Sequence, residues 1–247
     1  APDAVVHLAA ISFVGHADNS AFYAVNVVGT TNLLTALVAL PKRPTRVLLA
    51  SSANVYGNTK ASPIVETQSP APINHYGMSK LAMELMAMTY AAQLGLVITR
   101  PFNYTGRGQS TNFIVPKLVT HFARKAPSVS LGNLAVAREF NDVQMVCDAY
   151  LQLLKHGKAG ETYNVCSGQP YTLQHVIDTL ARITGHQLEV VIDPTLVRAN
   201  ELPRLCGSPA KLQALLVTNE YVLDIPPLER TLRQMLNPAG LANCARA

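Results

Sequence analysis

The sequence predicts an α/β fold: a doubly wound parallel sheet with helices on both faces, followed by a small C-terminal α/β lobe. Three observations predict it. Short β-branched runs alternate with longer helical patterns, which is the signature of parallel strands joined by covering helices. Two of the runs, Val5-Val6-His7-Leu8-Ala9 and Val47-Leu48-Leu49-Ala50, are apolar on consecutive residues, as strands covered on both faces are. A composition of 49% hydrophobic and 14% charged residues over 247 positions supplies a sizeable core.

In order, a strand is expected over 4–10, in the middle of the sheet. A helix over 22–40 and a strand over 46–51 follow. The helix over 76–94 is expected to stop at Gly95, a residue suited to the left-handed position after a helix end. The next strand, Leu96–Pro101, starts at once. Residues 103–112 form a Gly-, Asn- and Thr-rich loop of the kind that carries function. A helix over 113–125 and shorter elements as far as Leu134 come next, then a helix over 143–156, a strand over 162–165 and a helix over 173–184. Residues 1–170 are expected to form the sheet domain, with insertions around 103–142 belonging to the smaller lobe. Residues 171–247 are expected to be mainly that lobe.

A formal charge of +5 raises the question of nucleic acid, but the 20 Lys and Arg are scattered and form no basic run or aromatic-interleaved stripe. That argues against nucleic acid as a partner and suits a small anionic ligand held by a few cations. Cys147, Cys166, Cys206 and Cys244 show no metal-ligand spacing, so neither a metal site nor a disulfide framework is indicated, and a reducing compartment fits. No apolar run is read as reaching the roughly eighteen residues a membrane helix needs, and no basic segment precedes an apolar stretch at the start. The expectation is a cytoplasmic protein without a membrane partner.

The chemistry starts at Tyr76 and Lys80. Four apart on a helix, their side chains stand one turn apart on the same face. A phenol ordinarily titrates near about pH 10, and an ammonium held beside it favours the phenolate, making Tyr76 a usable acid or base near neutrality. Positioned acid–base groups contribute roughly 10²–10⁴ in rate. Taken alone, such a pair is usually one buried aromatic and one solvated cation. The pair Ser51-Ser52, at the C-terminal end of a buried strand, changes that, because open α/β sheets place their ligands there. Ser52 can hydrogen-bond a substrate carbonyl at that position.

These residues resemble the extended short-chain dehydrogenase/reductase family, the NAD-dependent epimerase/dehydratase group. Ser51-Ser52-Ala53-Asn54-Val55-Tyr56-Gly57 and Tyr76-Gly77-Met78-Ser79-Lys80 match its motifs in order. So do His7-Leu8-Ala9-Ala10, Asn26-Val27-Val28-Gly29-Thr30 and Arg100-Pro101-Phe102-Asn103. The resemblance implies a Rossmann-like sheet and an NAD(P)H-dependent oxidoreductase. It makes Ser52 the hydroxyl on the substrate oxygen, Tyr76 the acid/base, and Lys80 the group that tunes Tyr76 and binds the nicotinamide ribose. It further implies that Leu8, Ala9, Ala10, Asn26 and Pro101, with Tyr76 and Lys80, line the cofactor site.

The second half resembles the branch of that family that handles GDP-linked 6-deoxyhexoses, through Leu131-Gly132-Asn133-Leu134, Arg138-Glu139-Phe140, Arg198-Ala199-Asn200-Glu201 and Gly207-Ser208. The substrate contacts so implied are Ser12, Asn54, Asn103, Asn112, Lys117, Arg138, Arg198 and Glu201. Fork-shaped cations such as Arg138 and Arg198 suit a diphosphate, and Glu201 could accept from ribose or guanine. Lys117, like Arg124 and Lys125, also has the ordinary reading of a surface cation.

Dehydratases of the family need an extra carboxylate after the Ser/Thr; here those positions are Ala53 and Asn54, and neither exchanges a proton with carbon near neutrality. Glu66 reads as part of the loop before the catalytic helix. The expected reaction is therefore a single reduction of a 4-keto group, giving GDP-rhamnose or GDP-6-deoxytalose. A nucleotide-sugar 4-epimerase, a dehydratase relative and a non-catalytic nucleotide-binding remnant are the alternatives.

No Gly-x-x-Gly-x-x-Gly precedes a helix in this sequence, so the resemblance leads to the expectation that roughly sixty residues, two strand–helix units bearing the phosphate loop, precede Ala1 in the working protein. Without them the strand over 4–10 lacks its outer neighbour, and residues 1–247 alone are not expected to be an autonomous fold. The resemblance also implies a homodimer through the long helices near 22–40 and 76–94.

Overall fold

In the computed structural model, which describes residues 1–196 and 203–237, strands and helices alternate as the pattern demands. β1 (Ala4–His7) leads to α1 (Asn19–Tyr23), whose first turn is capped by the Asp18 carboxylate accepting from Ser20 N–H and Ala21 N–H. A π-helical stretch, Ala24–Gly29, joins α1 without a break to α2 (Thr30–Val38). Next come β2 (Arg46–Ala50), a 3-10 turn over Ala53–Tyr56, α3 (His75–Met88) and β3 (Leu96–Pro101). β4 (Tyr104–Thr105), α4 (Ile114–Ala123), β5 (Ser128–Leu131), β6 (Ala137–Glu139), β7 (Asn141–Asp142) and α5 (Val143–His156) follow. The remainder is β8 (Thr162–Val165), β9 (Pro170–Thr172), α6 (Leu173–Thr184), β10 (Glu189–Ile192), β11 (Arg204–Leu205), α7 (Ala210–Thr218) and α8 (Leu228–Leu236).

The chain divides into two compact units. The first comprises Ala1–Phe102, Val146–Cys166 and Gly207–Leu223, and carries a four-stranded parallel sheet in the order β1-β2-β3-β8. Val47, Leu48 and Leu49 of β2 and Leu96, Val97 and Ile98 of β3 are buried, as consecutive apolar residues in central strands should be. Leu34 and Leu37 of α2 and Met83 and Ala87 of α3 pack with Val47, Leu49 and Leu96.

β1 is shorter than the strand expected over 4–10, and it lies where a strand without its outer neighbour should. Its ladder ends at His7, it pairs among the described residues only with β2, and its side chains alternate between exposed and half-buried. Leu8, just beyond it, is 59% exposed. Consecutive apolar residues are fully covered only where neighbouring strands and helices lie on every side, and β1 stands at the sheet edge.

The two long helices also differ from their expected spans. The first begins at Asn19 rather than 22, and residues 19–38 carry no charged side chain. By length and composition they pass as long and apolar enough to cross a membrane, which corrects the expectation that no run reaches that length. Phe22, Asn26, Thr30, Leu34 and Leu37 of this helix are buried within the protein. The second helix ends at Met88, six residues before its expected end, and the chain continues in tighter turns with Tyr90 N–H on Ala87 O and Ala91 N–H on Met88 O. Gly95 does not take the left-handed conformation expected of it. A Cβ there would collide with Thr45 O, so glycine is needed for the close passage of the Thr45 backbone.

The second unit comprises, among the described residues, 103–145, 167–196, 203–206 and 224–237. Its core joins Val115, Leu118 and Phe122 of α4 to Val176, Ile177 and Leu180 of α6 and Leu228, Leu232 and Met235 of α8. β5 pairs with β10, β4 with β7, and β6 lies between β9 and β11. Residues 103–145 fall in this unit, and residues 207–223 in the first.

Candidate active site

β2 stops at Ala50, and Ser51 N–H carries the ladder one step further onto Thr99 O at 2.8 Å. Ser52 is extended and caps the 3-10 turn, its Oγ accepting from Asn54 N–H at 3.1 Å and from Asn54 Nδ2 at 3.2 Å. A hydroxyl has two acceptor lone pairs and one donor hydrogen. With Asn54 on both lone pairs, the Ser52 hydrogen is left to be donated to another group. Ser51 Oγ is buried and has no hydrogen-bond partner among the described residues, so the polar atom of a ligand would satisfy it.

α3 opens at Asn74, whose side chain accepts from Gly77 N–H at 2.8 Å. Tyr76, Ser79, Lys80, Met83, Glu84 and Ala87 then lie on its buried face. Lys80 Nζ donates to Ala50 O at 2.7 Å, two residues before Ser52. Burial pulls the Lys80 ammonium down to about 8, against the Glu84 charge, which raises it. At Gly77 a Cβ would stand 2.7 Å from Asn54 O, so the start of the helix rests directly on the turn that bears Ser52. Ser52, Asn54 and Lys80 thus meet at the C-terminal end of β2 within the first unit, and Tyr76 stands on the same buried face of α3 as Lys80.

Asn26 supports this arrangement from the π-helical stretch. It is fully buried; its Oδ1 accepts from Ile11 N–H at 2.9 Å and its Nδ2 donates to Ile11 O at 3.2 Å and to Ser79 Oγ at 2.9 Å. Ser79 Oγ in turn donates to Tyr76 O at 2.8 Å. One amide therefore ties the segment after β1, with Ala9, Ala10 and Ser12, to the helix carrying Tyr76 and Lys80. Helical stretches with this wider hydrogen-bond spacing recur at functional sites. Leu8, Ala9 and Ser12 are exposed, Ala10 is half-buried and Pro101 is buried at the end of β3. Thr30 Oγ1 donates to Asn26 O at 2.8 Å and lies 2.8 Å from His7 Nε2. Burial first, and the Lys80 charge second, hold the His7 imidazole below its usual range.

Sequence reasoning gave no role to Ser51, Ser79, Ile11, Thr30 or Glu84. Ser79 sits inside the Tyr-x-x-x-Lys span and was within reach of that reasoning. The others are fixed by contacts across 15 to 48 positions of sequence. Glu66 is held in its loop, its Oε1 accepting from Asn164 N–H at 2.9 Å.

The remaining candidates lie in the second unit. Asn103 is exposed and its carbonyl accepts from Asn141 N–H at 2.9 Å and Asn141 Nδ2 at 3.1 Å. Asn112 is exposed, with its N–H on Ser110 Oγ. Lys117 Nζ donates to Ser130 O at 3.0 Å, which ties α4 to β5. Arg138, half-buried on β6, donates to Ala137 O. Beside it the buried Glu139 carboxylate accepts from Ser167 N–H, Ser167 Oγ and Gly168 N–H. Arg198 and Glu201 lie outside the described residues.

The sequence profile of the family described as GDP-mannose 4,6 dehydratase matches residues 1–217. The chain is 39% identical over 220 residues to GDP-6-deoxy-D-talose 4-dehydrogenase of Aggregatibacter actinomycetemcomitans, covering 89% of this chain and 74% of that protein. It is 41% identical over 222 residues to GDP-6-deoxy-D-mannose reductase of Pseudomonas aeruginosa, covering 85% and 73%. Among solved structures, a Burkholderia cenocepacia J2315 protein described as a candidate epimerase aligns with a TM-score of 0.90 and 52% identity, over 99% of this chain and 76% of that one. RMD from Pseudomonas aeruginosa, complexed with NADPH, aligns at 0.89 and 36% identity, over 100% and 82%.

Proposed function

Since the chain belongs to the GDP-mannose 4,6-dehydratase family, we propose that it is an NAD(P)H-dependent oxidoreductase that reduces the 4-keto group of a GDP-linked 6-deoxyhexose, giving GDP-rhamnose or GDP-6-deoxytalose. One observation carries the choice of reduction over dehydration. Ser52 is followed by Ala53 and Asn54, and the Asn54 side chain is bonded to Ser52 Oγ, a place where an amide orients a hydroxyl but moves no proton. The nucleotide cofactor supplies hydride when bound. The groups on this chain fit it: a buried serine hydroxyl awaiting a partner, a buried ammonium, and a tyrosine one turn away.

In this reading the chain's own residues divide the work. Ser52 donates its hydrogen to the substrate carbonyl and polarises it. Tyr76 delivers the proton to that oxygen as charge builds there. Lys80 keeps a positive charge beside the tyrosine and presents further N–H donors to a ribose, one of its three being on Ala50 O. Asn26 and Ser79 fix the helix against the segment that includes Ala9 and Ala10.

The assay is incubation of the full-length protein with a GDP-4-keto-6-deoxyhexose and NAD(P)H. Stoichiometric loss of reduced-nicotinamide absorbance supports the proposal; interconversion of saturated sugars without added cofactor means a 4-epimerase instead. Replacement Tyr76→Phe removes most of kcat and leaves nucleotide binding nearly unchanged, and full turnover in that variant would overturn the assignment.

The same reading includes a homodimer, a cytoplasmic location, and neither membrane nor nucleic acid as partner. Val25 and Val28 on the first long helix and Met78, Leu85 and Met88 on α3 are exposed apolar side chains that a second copy would cover, which supports the dimer. Sedimentation of wild type against Leu85→Lys tests it, with the variant expected to run as the smaller species.

A further inference from the structure

Behind the catalytic lysine lies a charged pair that the reduction itself does not use. Arg100, near the end of β3, grips Glu84 of α3 with both arms, Nε on Oε1 at 3.0 Å and Nη2 on Oε2 at 2.6 Å. Both side chains are over nine-tenths buried. The guanidinium also stacks 4.8 Å from the Tyr56 ring centroid and reaches Glu66 O at 3.5 Å, while Tyr56 OH donates to Asn164 Oδ1 at 2.7 Å. Glu84 is four residues after Lys80, so its carboxylate lies one helical turn from the ammonium on the same face.

A buried ion pair is weak evidence for stability, because desolvation offsets most of the attraction, so its presence calls for another reason. Left alone, a carboxylate one turn from a lysine would swing over and capture it. Here both oxygens are taken by Arg100, and Lys80 Nζ is on Ala50 O instead. We propose that the Glu84–Arg100 pair is the positioning device for Lys80: Arg100 takes both oxygens of the Glu84 carboxylate, one turn along the helix from Lys80, so that it cannot draw the ammonium off Ala50 O. The inference rests on the oxidoreductase reading for its consequence in catalysis, but the device is a property of the protein alone.

Among the described residues, Tyr76 and Glu84 are on the same helix as Lys80, His7 comes from β1, Arg100 from β3 acts through Glu84 with Tyr56 and Glu66 beside it, and the β2 end contributes Ala50 O and the uncharged Ser51 and Ser52. Burial alone drives Lys80 toward neutrality and Glu84 opposes it. The two halves of the device therefore act with opposite sign.

The test is the titration of Lys80 in the full-length protein by 13C-lysine NMR, with the resonance assigned by its loss in Lys80→Met. Glu84→Gln should move the titration down by roughly one pH unit, and Arg100→Met should move it up, as Glu84 is released onto Lys80. The alkaline limb of kcat/KM should move with it in each variant. Should Glu84→Gln fail to fold around an orphaned guanidinium, the double variant Glu84→Gln with Arg100→Met removes both charges and should still lower the titration. An unchanged Lys80 titration in these variants, with kcat reduced only in proportion to folded protein, would overturn the proposal. Because the NMR arm needs neither substrate nor cofactor, a wild type that turns over no GDP-4-keto sugar sinks the functional reading and leaves this one standing or falling by itself.

Discussion

Lys80 donates to the Ala50 carbonyl at 2.7 Å, which holds an ammonium at the C-terminal end of β2 where burial disfavours its charge. The charged lysine is therefore a cost that the fold carries. Its folded-state value, about 8, lies below the roughly 10.4 of an unfolded lysine, so the cost is full below about pH 8 and fades as pH rises toward the unfolded value. Lys80→Met should abolish turnover and yet stabilise the protein at pH 7 by about 1–3 kcal/mol. Urea unfolding at pH 7 and pH 10 checks it: the gain should shrink at the higher pH, and a variant less stable than wild type at pH 7 would contradict the argument.

Asn54→Ala removes the Nδ2 donor from Ser52 Oγ but keeps the backbone bond. With one lone pair released, the serine hydrogen loses its fixed direction. Steady-state kinetics should show kcat down by about tenfold, equivalent to roughly 1.4 kcal/mol, with KM little changed. A pure KM effect would mean that Asn54 acts on substrate binding instead.

Gly77→Ala sets two effects against each other. Alanine favours a helix by up to about 1 kcal/mol, while overpacking typically costs about 1–3. Since the new Cβ would stand 2.7 Å from a backbone oxygen, Asn54 O, which has little room to yield, overpacking should win. The expected result is a lower urea midpoint together with a kcat loss larger than the loss of folded protein accounts for, because the helix bearing Tyr76 is pushed off the turn bearing Ser52.

Asn26→Ala leaves the Ile11 N–H and the Ser79 hydroxyl without the amide that joined them, at a cost of roughly 1–3 kcal/mol. Hydrogen exchange should quicken at residues 9–12 before it changes in β2 or β3. Uniform protection across both regions would show that the segment is held by other means.

The central strands were legible because burial on both faces leaves its mark on consecutive residues, as at Val47, Leu48 and Leu49. Tyr76 and Lys80 were legible because a helix converts a spacing of four into a shared face. The same rules ran β1 three residues too far, past His7 where its ladder ends, and they assigned Gly95 to a helix end when its need is the nearby Thr45 backbone.

By itself, then, the sequence determined the α/β alternation, the serine at the end of β2 and the one-turn relation of Tyr76 to Lys80, all of which follow from local periodicity. Tertiary structure decided what those side chains meet. Asn54 on Ser52, though only two residues away, depends on the backbone of the turn. The Asn26 link to Ser79 spans 53 residues and the Arg100 grip on Glu84 spans 16. No spacing rule reaches such pairs, because hydrogen bonds between elements depend on how the elements are stacked, and only the packed core fixes that.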